Sequence, residues 1–216
     1  MYKRSITTGR WMRKVVGVIV ALSVLFALLY TALEVNAFNM RYWENYQARF
    51  DIVARTGKSE AEVRSASEDL VRYLKNGDDA LMEKHFNARE CAHMKDVYAL
   101  FELGRILRVA ALGIVLVAFF FKRLSKQTFL FGLYVWDAVI LVLGALITMN
   151  FSRAFILFHK LFFTNDLWLL NPKTDWMIRL LPESFFAGIA LRTAISFLVG
   201  LILIHVLTVF RKEKKA

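Results

Sequence analysis

The sequence predicts an all-α integral membrane protein with four transmembrane helices, an extracytoplasmic helical cap and an interfacial helix. Four apolar runs, Val15–Leu33, Tyr98–Phe121, Thr128–Asn150 and Phe185–Phe210, each approach or exceed the ~20 residues with which a helix crosses ~30 Å of hydrocarbon. The composition, with 57% hydrophobic residues, 19 phenylalanines and a mean hydropathy of +0.45, is that of a chain whose solvent is largely lipid. The basic residues are also segregated. Lys3, Arg4, Arg10, Arg13 and Lys14 precede the first run, Lys122, Arg123 and Lys126 join the second to the third, and Arg211, Lys212, Lys214 and Lys215 follow the fourth. Glu213 is the only acid among them. In a four-span chain these segments share one side, and the positive-inside rule makes it cytoplasmic. The net charge of +11 is therefore a topology signal and predicts no nucleic-acid partner.

Residues 1–216 read as a single membrane domain. The first span resembles a secretory signal, since basic residues precede it and Val35-Asn36-Ala37 offers small-residue cleavage chemistry, but its apolar run exceeds a typical signal core and predicts a retained anchor. The loop Val35–Val97 then carries ten Lys/Arg against eleven Asp/Glu, the balance of a small folded surface. Within it Ser59 and Glu62 have capping-box spacing, Val63, Leu70 and Leu74 follow at helical intervals, and Asn76-Gly77-Asp78-Asp79 supplies a stop. A further helix is expected to start near Asn87 and run into the second span. The loop Phe151–Ser184 places Phe151, Phe155, Phe158, His159 and Phe162 on one helical stripe, the pattern of a helix lying in the membrane interface. Gly57-Lys58-Ser59 resembles the end of a phosphate-binding loop, but Ile52 stands where the leading glycine is required.

Ionisable residues inside the spans are costly unless paired or hydrated. Glu34 closes the first span, Glu102, Arg105 and Arg108 lie on the second, Asp137 on the third and Arg192 on the fourth. They form either an ion-pair network that fixes helix register, with Arg108 meeting Asp137, or the lining of a hydrophilic pocket open to the outer leaflet. His93 precedes the second span, with Glu90 one helical turn before it, a spacing at which a carboxylate fixes a histidine tautomer. His159 sits on the apolar stripe of the second loop, and both histidines project to the same membrane depth. Neither has a partner at metal-ligand spacing, so no metal is expected. Cys91, the one cysteine, lies ~200° around a helix from His93 and cannot be activated by it. His85 and His205 carry no evident role.

At these residues the chain resembles a known family. Glu90, His93-Met94 and Asp96-Val97 match the first signature of small four-span bacterial membrane proteins, the lipoprotein intramolecular transacylase (Lit) family. Phe158-His159-Lys160-Leu161-Phe162-Phe163, with Asn165, Trp168, Asn171-Pro172, Asp175, Leu181-Pro182-Glu183 and Phe185-Phe186, looks like the second. The resemblance implies acyl transfer within one substrate. A lipoprotein bearing an S-diacylglyceryl cysteine would pass its sn-2 chain to its own α-amine, giving the N-acyl S-monoacylglyceryl lyso-form. His93, oriented by Glu90 or Asp96, is the expected base and His159 the expected acid, with the roles exchangeable. Arg192 or Asn165 is the candidate oxyanion partner, and Asp175 and Arg105 are candidate supporting residues. No cofactor is implied. The expected partners are the diacylglyceryl lipoprotein and membrane phospholipid, in the bacterial cytoplasmic membrane with both termini cytoplasmic and the site on the outer face. The alternatives are a lipid esterase or acyltransferase, including an acyl-enzyme on Cys91, and a non-enzymatic assembly or sensor protein.

Overall fold

The computed structural model describes Tyr2–Phe121 and Leu124–Phe210, with side chains from Gly9 onward. Lys3, Arg4, Lys122, Arg123, Arg211, Lys212, Glu213, Lys214 and Lys215 of the segregated charge lie outside the described side chains. Among the described residues every regular element is a helix: α1 (Tyr2–Ala37), α2 (Met40–Arg49), α3 (Ile52–Thr56), α4 (Glu60–Asn76), α5 (Asp79–Glu83), α6 (Ala88–Phe120), α7 (Lys126–Met149), α8 (Phe151–Phe162), α9 (Met177–Leu180) and α10 (Glu183–Phe210). Four of them, α1 from Gly9 on, α6, α7 and α10, are long and apolar enough to cross a membrane. The helix that carries the second span runs unbroken from Ala88, in keeping with the expected start near Asn87.

The chain packs as two compact units. The first comprises Met1–Ala32, Arg105–Met149 and Thr193–Ala216. Its core holds Ala21 and Leu25 of α1, Leu133 of α7, and Phe197 and Leu201 of α10. Two glycines let α1 and α7 meet backbone to backbone: a Cβ on Gly132 would overlap the Gly17 carbonyl, and one on Gly17 the Thr128 carbonyl. Beside that crossing Trp136 donates its indole N–H to the Val18 carbonyl at 3.0 Å. At the next residue, Asp137 Oδ2 lies 3.0 Å from His205 Nε2, with the Tyr134 ring stacked on the imidazole at 5.7 Å. The expected meeting of Asp137 with Arg108 is thereby corrected: His205 is the partner, and the Arg108 guanidinium lies over the Tyr30 ring at 5.1 Å. Helical period fixes which face a residue occupies, but not which neighbouring helix that face meets. Elsewhere the unit exposes Leu141, Val142, Leu146 and Met149 of α7 and Phe119 and Phe120 of α6, side chains solvated by hydrocarbon in a membrane.

The second unit comprises Leu33–Gly104 and Asn150–Arg192. Its α4 starts at the capping box: Ser59 Oγ accepts from the Glu62 N–H, and Glu62 Oε2 accepts from the Ser59 N–H. It stops at Gly77, whose φ of +72° is the left-handed conformation open to glycine. The buried face of α4 joins an aromatic core in which Phe185 contacts Trp43, Tyr46 and Tyr42 at ring-centroid distances of 4.7, 5.2 and 5.3 Å. A second cluster stacks Phe86 on Trp176 at 4.9 Å. Helix α8 is capped by Asn150, whose side chain accepts from the Arg153 N–H, and it is amphipathic: Leu157 and Leu161 are exposed while His159 is buried.

Candidate active site

The site is built where the head of α6 receives the segment between α8 and α10. Asn87 and Glu90 cap α6 reciprocally: Asn87 Oδ1 accepts from the Arg89 and Glu90 N–H groups, and Glu90 Oε2 accepts from the Asn87 N–H at 2.9 Å. The other Glu90 oxygen accepts from the Met177 N–H at 2.7 Å, so this carboxylate, 0% exposed, ties the α9 turn to the start of α6. Asp175 extends the tie by accepting from the Asn87 amide at 2.9 Å, the Asn171 N–H at 2.7 Å and the Thr174 hydroxyl at 3.0 Å. Burial works against the charge of Asp175, but the Asn171 N–H, the Asn87 amide and the Thr174 hydroxyl hold its carboxylate below the usual range, with Arg89 acting in the same direction.

One turn along α6 from this anchor stands His93, 8% exposed, and from α8 comes His159, also 8% exposed. Their ring centroids are 6.2 Å apart. Aromatic rings enclose the pair: Phe163 is 5.3 Å from His93 and 5.5 Å from His159, Phe155 is 4.4 Å from His159, and Trp168 lies over His159 at 4.9 Å. Of the two imidazoles, His159 has its tautomer fixed. Its Nδ1 lies 2.7 Å from the Phe155 carbonyl, which only accepts, so Nδ1 carries the hydrogen and the lone pair of the neutral ring is on Nε2. His93 Nδ1 is buried without a hydrogen-bond partner, an arrangement that favours a ligand supplying one. Two imidazoles in an apolar wall can exchange protons with a bound molecule while shielding it from water.

The expected orientation of His93 by Glu90 is corrected, because both Glu90 oxygens take backbone N–H groups. Asp96, one turn below His93, accepts from the Asn165 amide at 2.9 Å. That bond engages Asn165 with Asp96, and the Arg192 guanidinium lies over the Tyr42 ring at 4.7 Å, so each candidate oxyanion donor already has a protein contact. Asp175 is part of the scaffold just described, and Arg105 begins the Arg105–Met149 segment of the first unit, where it is partly buried. His85, given no role by the sequence, lies 2.9 Å from Asp69 Oδ2. Cys91 lines a cavity of about 430 Å³ with Glu83, Phe86, Ala88, Ala92 and Lys95, on the α6 face turned away from His93. Among the described residues no three His, Cys, Asp or Glu side chains gather as a metal site. Sequence reasoning placed Asn87 at a helix start and Trp168 within the second signature but gave neither a role at the site. The first had a usable signal in its Asn-x-x-Glu spacing, whereas nothing local announces that Trp168 folds back onto His159.

The chain matches the family model described as Lipoprotein intramolecular transacylase Lit over residues 18–186. A protein of Aquifex aeolicus (strain VF5), described as uncharacterized, is 32% identical over 137 residues, which make up 61% of this chain and 58% of that one. The match thus spans little more than half the length of that relative. The structure of the membrane integral lipoprotein intramolecular transacylase Lit from Bacillus cereus superposes with a TM-score of 0.80 at 24% identity, covering 91% of this chain and 94% of the other. A second structure of that protein, carrying one substitution, gives 0.80 at 22% identity over 97% and 96%. At such identities the likeness is one of fold, that of an integral membrane protein.

Proposed function

Because the chain belongs to the lipoprotein intramolecular transacylase (Lit) family, we propose that it transfers the sn-2 acyl chain of a diacylglyceryl lipoprotein to the α-amine of the same molecule's N-terminal cysteine. The observation that carries this reading is the buried histidine pair, one ring with a fixed tautomer and the other with an unmet nitrogen, inside an aromatic wall. The substrate brings both reactants, so the protein has to hold a reactive conformer, move protons and exclude water. Three hydrogens start on the ammonium. His159 Nε2 takes one, which frees the amine to attack the ester carbonyl. As the tetrahedral adduct collapses, the C–O bond to the glyceryl group breaks. One hydrogen stays on the new amide, and one reaches the departing oxygen through His93, so that one proton in all is released to solvent. The His159 tautomer supports base for His159 and leaves acid to His93, the exchanged form of the sequence expectation. Lipid hydrocarbon surrounds the spans and the substrate's acyl chains.

In this reading both termini and position 125 are cytoplasmic, and the histidines lie at the extracytoplasmic face. A cysteine placed at Ser125 in a Cys91→Ser background stays unlabelled by an impermeant reagent in intact cells; labelling there would reverse the topology. The activity is tested by mass spectrometry of lipoprotein N-terminal peptides from cells with and without the protein. The expected result is an N-acyl, S-monoacyl peptide with the acyl count unchanged. Free fatty acid released in step with chain loss would identify an esterase instead.

A further inference from the structure

The carboxylates of the second unit differ in what they have left to offer. Glu90 is saturated by the Asn87 and Met177 N–H groups, and Asp175 by Asn87, Asn171 and Thr174. Asp96 has one oxygen held by the Asn165 amide, and among the described residues no cation pairs with it. Nearby cations are occupied elsewhere: Arg89 donates to the Asp166 and Leu169 carbonyls, Lys95 pairs with Asp79, and Arg192 covers Tyr42. Asp96 is half-buried and lies three residues after His93 on one helix, a spacing that brings side chains ~5–6 Å apart at Cβ. A partly desolvated anion without a cation, fixed one helical turn from His93, calls for a positive charge from the ligand.

We propose that Asp96 receives the α-ammonium of the diacylglyceryl substrate and so selects the unacylated lipoprotein. This deepens the transacylase reading and rests on it. Asn165 holds one carboxylate oxygen and leaves the other to accept an ammonium N–H. An α-amine has a pKa of ~7.7–8.0, so it arrives largely protonated and is held where a histidine takes its proton. The N-acyl product is a neutral amide. It loses this attraction, and the same group that recruits substrate favours product release.

The test is binding by the full-length protein in lipid nanodiscs. The probe is a cysteinyl peptide whose S-glyceryl group carries two ether-linked alkyl chains, which cannot transfer, compared with its des-amino counterpart. The native protein is expected to prefer the ammonium probe about tenfold or more, the range of a hydrogen bond between charged groups. Asp96→Asn preserves the oxygen that Asn165 holds. It is expected to abolish the preference without weakening des-amino binding, and Asp96→Glu to restore part of it. Equal binding of the two probes by the native protein, or a folded Asp96→Asn that keeps the preference, overturns the role of Asp96. Lyso-form production by the native protein is read separately. If it persists, the transacylase reading stands in either of those cases; if it is missing and neither probe binds, both fall together.

Discussion

In the unit of Met1–Ala32, Arg105–Met149 and Thr193–Ala216, ionisable side chains such as Asp137 and His205 find partners on the next helix; in the unit of Leu33–Gly104 and Asn150–Arg192, carboxylates such as Glu90 and Asp175 serve backbone N–H groups of caps and loops. The cause is the solvent. Long helices satisfy their own backbone, so a polar side chain in hydrocarbon needs only another side chain. Short helices and irregular segments leave N–H groups open, and buried carboxylates are the strongest acceptors available to close them. Once that is done, the second unit still holds two buried side-chain nitrogens without a hydrogen bond, His93 Nδ1 and Arg179 Nε, and the first stands beside His159 where a ligand would complete the structure.

The sharpest break between the units is expected in how substitutions act. His93→Ala or His159→Ala removes a proton-transfer step and is expected to lower lyso-form production about 10²-fold or more, while thermal unfolding is little changed. The measurement is product mass spectrometry beside an unfolding scan of each purified variant. A collapse of stability in both would make the histidines packing residues and erase the contrast.

Next in size is the glycine crossing of the first unit. Gly132→Leu forces a side chain against the Gly17 carbonyl and is expected to cost about 1–3 kcal/mol, seen as a lower Tm and lower yield. Activity per folded molecule should survive far better than in the histidine variants. Unchanged stability would show that α1 and α7 do not meet at Gly17 and Gly132.

What the sequence revealed divides along the same line. Ser59 with Glu62, Gly77 as a stop, and the aromatic stripe around His159 were legible because each depends on neighbours within a turn or two. The four spans were legible because length and hydropathy are properties of a segment alone. Glu90 was misread for the opposite reason. Its spacing to His93 is local and suggestive, but its partner, the Met177 N–H, comes from the short α9 turn far along the chain, whose placement no periodicity encodes. Asp137 was misassigned to Arg108 likewise, since membrane depth narrows the possible partners without choosing among helices. Trp168 over His159 had no local signal at all.

A smaller effect is expected at the Asp137–His205 pair. Interhelical hydrogen bonds in membranes are worth about 0.6 kcal/mol on average and up to ~1.7. His205→Ala, Asp137→Asn and the double variant form a cycle whose coupling, measured by unfolding, is expected in that range. Zero coupling would mean that the two side chains are separately solvated and that the first unit is held by apolar packing and its glycines alone.

The smallest expected effect lies at the exposed start of α4, and its sign can be worked out. The Ser59 N–H, the Ser59 hydroxyl and Lys58 pull the Glu62 carboxyl from 4.5 down to about 2. A carboxylate whose pKa falls on folding contributes stability that is fully present above its unfolded pKa and is lost as pH drops through the folded value. The Tm gap between the native protein and Glu62→Gln is therefore expected to be steady from pH 7 to about 5.5, to shrink to about half or less by pH 3, and to vanish near pH 2. Because Glu62 is solvated, the gap at neutral pH should be no more than about 2–4 °C and should decrease with added salt. A gap that persists unchanged at pH 3 would mean that the substitution acts through helix propensity or the unfolded chain, and that the capping box contributes no measurable electrostatic stability to the second unit.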